Sequence, residues 1–219
     1  MGLGREKRHL VASRAARELK TGMIVNLGIG IPTLVADYVP PDIHVVFQAE
    51  NGILGYGPTP REGEEDPFLC NAGGLPVTLS KEASYFDSTV AFGMIRRGLL
   101  DLTILGALQV SEEGDLANWI VPGKRVPGMG GAIELAQKAR RVIVATEHLA
   151  RDGRPKILRA CTFPLTTRKS VQLIITDMAV IQVTEQGLVL QEVAKEYEPG
   201  DVVQATEARL IIPPHVERF

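Results

Sequence analysis

Short apolar runs alternate along this chain with segments whose apolar positions fall at helical spacing. Leu10, Val11, Ala15 and Leu19 predict a helix over residues 9–19, ending near Thr21 and Gly22. Residues 23–27 read as a short strand. The turn Gly28-Ile29-Gly30-Ile31-Pro32 follows, with Pro32 suited to the first turn of a helix through Tyr38. Ile43-His44-Val45-Val46-Phe47 is apolar and rich in β-branched residues, and reads as a buried strand. Residues 57–76, dense in Pro, Gly and acids, predict an excursion without regular structure. Ser88 is the expected cap of a helix running to about Arg97, with Gly98 as its stop. Residues 101–110 read as one buried strand. Residues 122–131 form a second glycine-rich loop, and 132–140 the helix after it. Strands are expected at 142–145, 173–175, 179–183 and 188–190, with a last short one at 210–212.

Strands apolar on both faces, alternating with helices, indicate an α/β fold: an open, mostly parallel sheet with helices on both faces. No internal repeat or low-complexity linker interrupts the pattern, so residues 1–219 are expected to form a single domain. An apolar fraction of 45% is ample for the core such a sheet needs. The net charge of −2 supplies no basic field for nucleic acid, and aromatics at 5% supply few stacking platforms. No apolar run approaches the roughly 18 residues needed to span a bilayer, and the charged segment 1–17 lacks the apolar centre of a signal peptide. Cys70 and Cys161 cannot make a secreted-type disulfide framework and read as reduced thiols of a cytoplasmic protein.

The candidate chemistry centres on Gln48-Ala49-Glu50-Asn51-Gly52-Ile53-Leu54-Gly55-Tyr56-Gly57-Pro58. A carboxylate stands where a strand ends and a glycine-rich turn begins, and open α/β sheets bind ligands at the carboxyl ends of strands. The glycines at 52, 55 and 57 are expected to let a ligand come close. Leu27-Gly28-Ile29-Gly30-Ile31-Pro32-Thr33 has a strand–turn–helix form that suits an anion. It lacks the third glycine of a dinucleotide fingerprint and the Gly-Lys-Thr/Ser ending of a P-loop. Two readings stay open: a tight turn, or a loop lining a ligand site. Val126-Pro127-Gly128-Met129-Gly130-Gly131-Ala132 reads either as a set of N–H donors for an oxyanion or as a helix start that needs positive φ. Lys124, near the only tryptophan, Trp119, reads as an anion contact or a solvated loop lysine. Ser84-Tyr85-Phe86-Asp87-Ser88 reads first as capping and core anchoring. The histidines at 9, 44, 148 and 215 show no ligand spacing with each other or with the cysteines, so no metal is expected. No Gly-x-Ser-x-Gly elbow is present. The candidate nucleophile is therefore a carboxylate.

Taken together, ten runs resemble the B (β) subunit of family I CoA-transferases, the 3-oxoacid and acetate enzymes, of the succinyl-CoA:3-oxoacid type. They include Val25 to Thr33, Glu50-Asn51-Gly52-Ile53-Leu54-Gly55, Asn71-Ala72-Gly73, Ser84-Tyr85-Phe86, Gly114-Asp115-Leu116-Ala117-Asn118-Trp119, Gly128-Met129-Gly130-Gly131-Ala132 and Glu147-His148. The resemblance extends from about residue 10 to 212 and implies the CoA-transferase fold. It implies Glu50 as nucleophile in a ping-pong transfer of CoA from succinyl-CoA or acetyl-CoA to a 3-oxoacid such as acetoacetate. It implies the Gly131 N–H as oxyanion donor, with Gly130 present for loop geometry. Gly28, Gly30, Asn51, Gly130 and Lys124 are the expected substrate-binding positions. No cofactor is implied, coenzyme A thioester being a substrate. The implied partner is an A subunit, in an A2B2 heterotetramer. Transferases for 3-oxoadipate or for butyrate and acetoacetate, an acyl-CoA hydrolase using the same Glu50, and a non-catalytic binding module are the alternatives. Three runs depart from the family pattern: Ala49 replaces Ser, Lys81-Glu82-Ala83 replaces Pro-Gly-Ala, and Arg96-Arg97-Gly98-Leu99 replaces Arg-Gly-Gly-His.

Overall fold

A computed structural model describes residues 4–123 and 128–219. The chain opens with α1 (Arg5–Ala16), β1 (Ile24–Leu27), a 3-10 helix (Pro32–Tyr38), β2 (Val46–Ala49), β3 (Ile53–Tyr56) and β4 (Leu79–Tyr85). Then come α2 (Ser88–Arg96), β5 (Leu102–Leu105), β6 (Gln109–Ser111), β7 (Leu116–Ala117), α3 (Ala132–Lys138), β8 (Val142–Ala145) and β9 (Ile157–Leu158). The last part holds β10 (Leu173–Ile175), β11 (Ala179–Thr184), β12 (Gly187–Val193), α4 (Pro199–Gln204), β13 (Leu210–Ile211) and β14 (Glu217–Arg218).

The large sheet runs β13-β12-β11-β10-β8-β5-β1-β2-β3-β4, with β14 also on β12. Its centre, from β10 to β2, is parallel throughout. Antiparallel hairpins extend it at both ends. A small sheet, β7-β6-β9, stands apart. Side chains alternate between the two faces of each strand. Val25, Leu27, Phe47, Leu102 and Ile104 pack with Val11 and Ala15 of α1 and Val35 of the 3-10 helix. Leu105, Val142, Val144 and Ile174 pack on the other face with Ile95 of α2 and Leu135 of α3. The expected α/β architecture, helices on both faces of a mostly parallel sheet, is the one observed. Buried Arg14 ties α1 to the sheet by ion pairs to Glu18 and Glu192, and Arg141 meets Glu18 at 2.9 Å. Among the described residues, no helix is long and apolar enough to cross a membrane.

Several boundaries differ from expectation. The run 101–110 is two strands in two sheets, because the chain turns at residues 106–108. There the Gly106 carbonyl accepts from Asn118 Nδ2 at 3.2 Å and the Ala107 carbonyl from Thr146 Oγ1 at 3.0 Å. Both strands are buried, so continuous apolarity concealed the break. The glycines at 55 and 57 concealed β3. Asp87, not Ser88, caps α2: its carboxylate accepts from the backbone N–H groups of Thr89 and Val90 at 2.8 and 3.1 Å. The first helix begins at Arg5 and ends at Ala16. Residues 57–76 carry no named strand or helix, as expected, apart from one bridge between Cys70 and Pro76.

His148, which no sequence pattern assigned a role, is fully buried after β8. Its Nε2 lies 3.0 Å from Thr206 Oγ1, whose hydroxyl donates to the Val202 carbonyl at 2.7 Å. Its Nδ1 lies 2.9 Å from Thr176 Oγ1, which accepts from the N–H groups of Met178 and Ala179. Nε2 therefore donates to Thr206, while the Thr176 hydroxyl has both Nδ1 and, at 3.2 Å, the Ala179 carbonyl within reach. Burial holds its pKa down at about 4, against a weaker upward pull from Asp177. The unfolded chain takes up this proton below about pH 6.5 while the folded chain resists until about pH 4. Stability is therefore full above pH 6.5 and falls as pH drops through that window, by about 3 kcal/mol at most. Urea midpoints measured across pH 4–7.5 should show that slope in the wild type and a flatter one in His148→Gln. Equal slopes would contradict the assignment.

Candidate active site

Glu50, Asn51 and Gly52 form the tip of the hairpin joining β2 to β3. The Gly52 N–H donates to the Ala49 carbonyl, and the Phe86 N–H to the Gly52 carbonyl, each at 3.0 Å. The β2–β3 register slips between Phe47 and Gln48; such bulges re-aim neighbouring side chains. Gly52 has φ +115°, and a Cβ there would lie 1.9 Å from the Phe86 carbonyl oxygen. A Cβ at Gly55 would lie 2.8 Å from Ser80 Oγ, and one at Gly57 would lie 2.6 Å from Thr78 Oγ1. This corrects the expectation that these three glycines admit a ligand: the space they free is filled by β4 and the residues flanking it.

The two oxygens of the half-buried Glu50 carboxylate meet different neighbours. Oε2 accepts a hydrogen bond from Asn26 Nδ2 at 3.0 Å. Oε1 faces Gly131 across the gap left by the missing side chain, and a Cβ on Gly131 would lie 3.4 Å from it. Asn26 is fully buried in β1, and its Nδ2 also meets the Gln48 carbonyl at 3.1 Å and Gln48 Oε1 at 2.8 Å. Gln48 in turn donates to the Ala91 carbonyl on α2 at 3.4 Å. Nearby Tyr56 is buried; burial, and then the Glu50 charge, push its hydroxyl pKa up.

Glu50 opens onto a cavity of about 470 Å³ lined also by Gly28, Trp119, Met129, Gly130 and Gly131. Trp119 is fixed by its Nε1–H to the Leu165 carbonyl at 3.3 Å. Gly131 is the N-cap of α3, at φ −79°, and Gly130 stands at φ +53°. The start of α3 is clamped to α2. Arg96 pairs with Glu134 at 2.8 Å and lies 5.6 Å from the centre of the Phe92 ring, which abuts Gly131.

The expected substrate-binding positions divide. Gly28 and Gly130 come together at Glu50, beside Gly131, the expected oxyanion donor. Gly30, at φ +97°, lines a neighbouring cavity of about 680 Å³ with Lys156, Thr146 and Arg151. There Lys156 Nζ donates to Thr146 Oγ1 at 2.9 Å, and burial lowers its pKa. Ile29 and Gly106 border both cavities. Asn51 is exposed and donates to the Cys70 carbonyl at 2.8 Å, anchoring the 57–76 excursion to the hairpin tip. Lys124 lies outside the described residues. Asn26 and Gln48 were missed by sequence reasoning. The available signal was an amide side chain inside each of two otherwise apolar strands, with Gln48 two residues before Glu50 and so on its face.

This geometry can be set beside known proteins. The model of the family described as coenzyme A transferase matches residues 9–205. The chain belongs to the coenzyme A transferase family. It is 57% identical over 212 residues to the β subunit of a probable coenzyme A transferase of Bacillus subtilis (strain 168), covering 97% of this chain and 98% of that protein. It is 48% identical over 204 residues to the B subunit of a probable succinyl-CoA:3-ketoacid coenzyme A transferase of the same organism, covering 93% and 94%. Among solved structures, the acyl-CoA transferase apoenzyme of Escherichia coli O157:H7 superposes with a TM-score of 0.78 at 23% identity. That alignment covers 100% of this chain and 44% of the other, so this chain spans less than half of that longer polypeptide.

Two alanine substitutions separate the roles of the site glycines. Gly52→Ala meets both a positive φ and a backbone oxygen, and should lower stability by more than about 2 kcal/mol. Gly131→Ala meets no backbone strain, only the Phe92 ring and Glu50 Oε1, and should stay within about 1 kcal/mol of wild type while losing transferase turnover. Denaturant melts and turnover assays on both variants, with wild-type turnover in Gly131→Ala as the contrary result, would decide.

Proposed function

We propose that this chain is the B subunit of a CoA-transferase that moves CoA between an acyl-CoA, such as succinyl-CoA or acetyl-CoA, and a 3-oxoacid such as acetoacetate. The observation that carries the reading is the Glu50 carboxylate at the mouth of β2. One oxygen is held by Asn26, the other faces Gly131 where a side chain would otherwise stand, and both stand at the wall of a cavity. The succinyl-CoA:3-ketoacid relative supports the substrate class.

In the proposed cycle, Glu50 attacks the thioester carbonyl of the acyl-CoA. A C–O bond forms, the C–S bond breaks, and CoA leaves as its thiolate. The product is a mixed acyl-glutamyl anhydride. The thiolate then attacks the Glu50 side-chain carbonyl, forming a glutamyl-CoA thioester and releasing the first acid as a carboxylate. The acceptor carboxylate attacks that thioester, displaces the CoA thiolate and forms a second anhydride. The thiolate takes the new acyl group and Glu50 is regenerated. Covalent catalysis of this kind divides one difficult exchange into easier steps and keeps the acyl group activated. Each step passes through a tetrahedral oxyanion, and the Gly131 N–H is its donor. Gly130 supplies the positive φ that sets that N–H in place.

The reaction runs with a separate A subunit, in an A2B2 assembly in the cytoplasm. The relative's own description as the B component of its enzyme supports the partner. So do apolar side chains left in the open at the cavity: Ile29 is 71% exposed and Met129 44%.

Intact mass spectrometry tests the reading directly. The chain, purified with its A partner and incubated with acetoacetyl-CoA or succinyl-CoA without acceptor, should gain the mass of CoA minus water on Glu50. Glu50→Gln should give no adduct and no turnover while keeping its fold and partner. Turnover in Glu50→Gln would remove the mechanism. CoA release without any acceptor acid would mark a hydrolase instead.

A further inference from the structure

Asn26, Gln48 and Thr103 stand side by side on three neighbouring parallel strands: Asn26 is registered with Gln48 of β2 and with Thr103 of β5. All three are fully buried. They interrupt the apolar interior on the face that carries α2 and α3, since their flanking residues Val25, Leu27, Phe47, Leu102 and Ile104 pack on the other face. Asn26 directs its Nδ2 hydrogens to Gln48 and Glu50. Asn26 Oδ1 and Thr103 Oγ1, at neighbouring places in this row, each lack a hydrogen-bond partner among the described residues. Buried oxygens left in that state are costly, and two on adjacent strands call for a common partner. Adjacent strands stand about 4.8 Å apart. One water, making two bonds of about 2.8 Å at a tetrahedral angle, spans about 4.6 Å.

We propose that Thr103 is a positioning residue for the Glu50 carboxylate, acting through Asn26 by way of a single internal water that bridges Thr103 Oγ1 and Asn26 Oδ1. The proposal rests on the reading of Glu50 as nucleophile. The water donates to Oδ1 and accepts from the threonine hydroxyl, or the reverse order at Thr103. A hydrogen bond at Oδ1 polarises the amide and strengthens its N–H donors. It also holds the amide plane, because a turn of the amide would strip the water and set Oδ1 against the oxygens of Gln48 and Glu50. No covalent bond changes; the row fixes where the attacking oxygens stand.

The test compares Thr103→Val with Thr103→Ser in the chain purified with its A partner. Thr103→Val keeps shape and removes the hydroxyl, and kcat should fall roughly tenfold, the upper size of one neutral hydrogen bond. KM for acyl-CoA should hold. Thr103→Ser should restore most of the rate. In an Asn26→Ala background, adding Thr103→Val should change kcat by less than about twofold, since the link is already cut. If valine does not pack, Thr103→Ala against Thr103→Ser gives the same comparison. Wild-type kcat in the hydroxyl-free variant, no rescue by serine, or a full additional loss on Asn26→Ala would each overturn the proposal. If Glu50→Gln is inactive while Thr103→Val matches wild type, only this inference falls. If Glu50→Gln still turns over, the underlying reading falls with it.

Discussion

The hydrogen bond from Asn26 to Glu50 is the constraint around which the site is organised. A buried amide in a parallel sheet is tolerated only when its polar atoms are paired. Asn26 pairs its Nδ2 hydrogens by reaching on its own face of the sheet to Gln48 and to the carboxylate at the strand end, and its Oδ1 is left beside Thr103. The contact exists only in one register. Sliding β1 by one residue would turn Asn26 into the apolar layer under α1 and put Val25 or Leu27 in its place. Sheet register and carboxylate position are therefore one property, set by the same ladder.

What surrounds the carboxylate is arranged by close backbone approach more than by side chains. Gly52 lets the hairpin tip press against Phe86, and Asp87, the next residue, caps α2. α2 then holds α3 through Arg96 and Glu134, and the first residue before α3 is Gly131, facing Glu50. The chain of contacts is closed: hairpin, α2, α3, and back to the hairpin. Each element fixes the next, so the surroundings of Glu50 are set by residues far apart in sequence.

Much of this was legible beforehand, for identifiable reasons. The central strands are apolar on both faces and could be read as a parallel sheet. Glu50 stood out by its company, since a carboxylate after a strand is ordinary alone but here it opens a glycine-rich turn in a chain with further glycine loops. The reading failed where one signal carried two meanings. Continuous apolarity from 101 to 110 covered a turn between two sheets, because both strands are buried. Glycines 52, 55 and 57 suggested ligand access when they record the approach of β4. α4 was overlooked although Glu198 and Asp201 form a reciprocal capping box around Pro199. Asn26, Gln48 and Thr103 escaped because their importance lies in cross-strand register, which a linear pattern does not display.

The departures from the family pattern can now be weighed by position. Ala49 is 3% exposed and packs with Phe47 and Tyr56 in the layer beneath α1, on the face opposite Gln48 and Glu50. A serine hydroxyl there would point away from the carboxylate into apolar surroundings, so the alanine is the less costly choice and leaves the Asn26–Glu50 contact untouched. Lys81 and Glu82 are exposed on β4, the outermost strand at that end of the sheet, where charge discourages unwanted strand pairing. Arg97 and Leu99 lie exposed beyond the end of α2. None of these residues lines the cavity at Glu50. On the reading proposed for Glu50, discrimination among acyl groups would fall to the residues that do: the Trp119 ring, the Met129 side chain, and apolar residues such as Ile29 and Leu108.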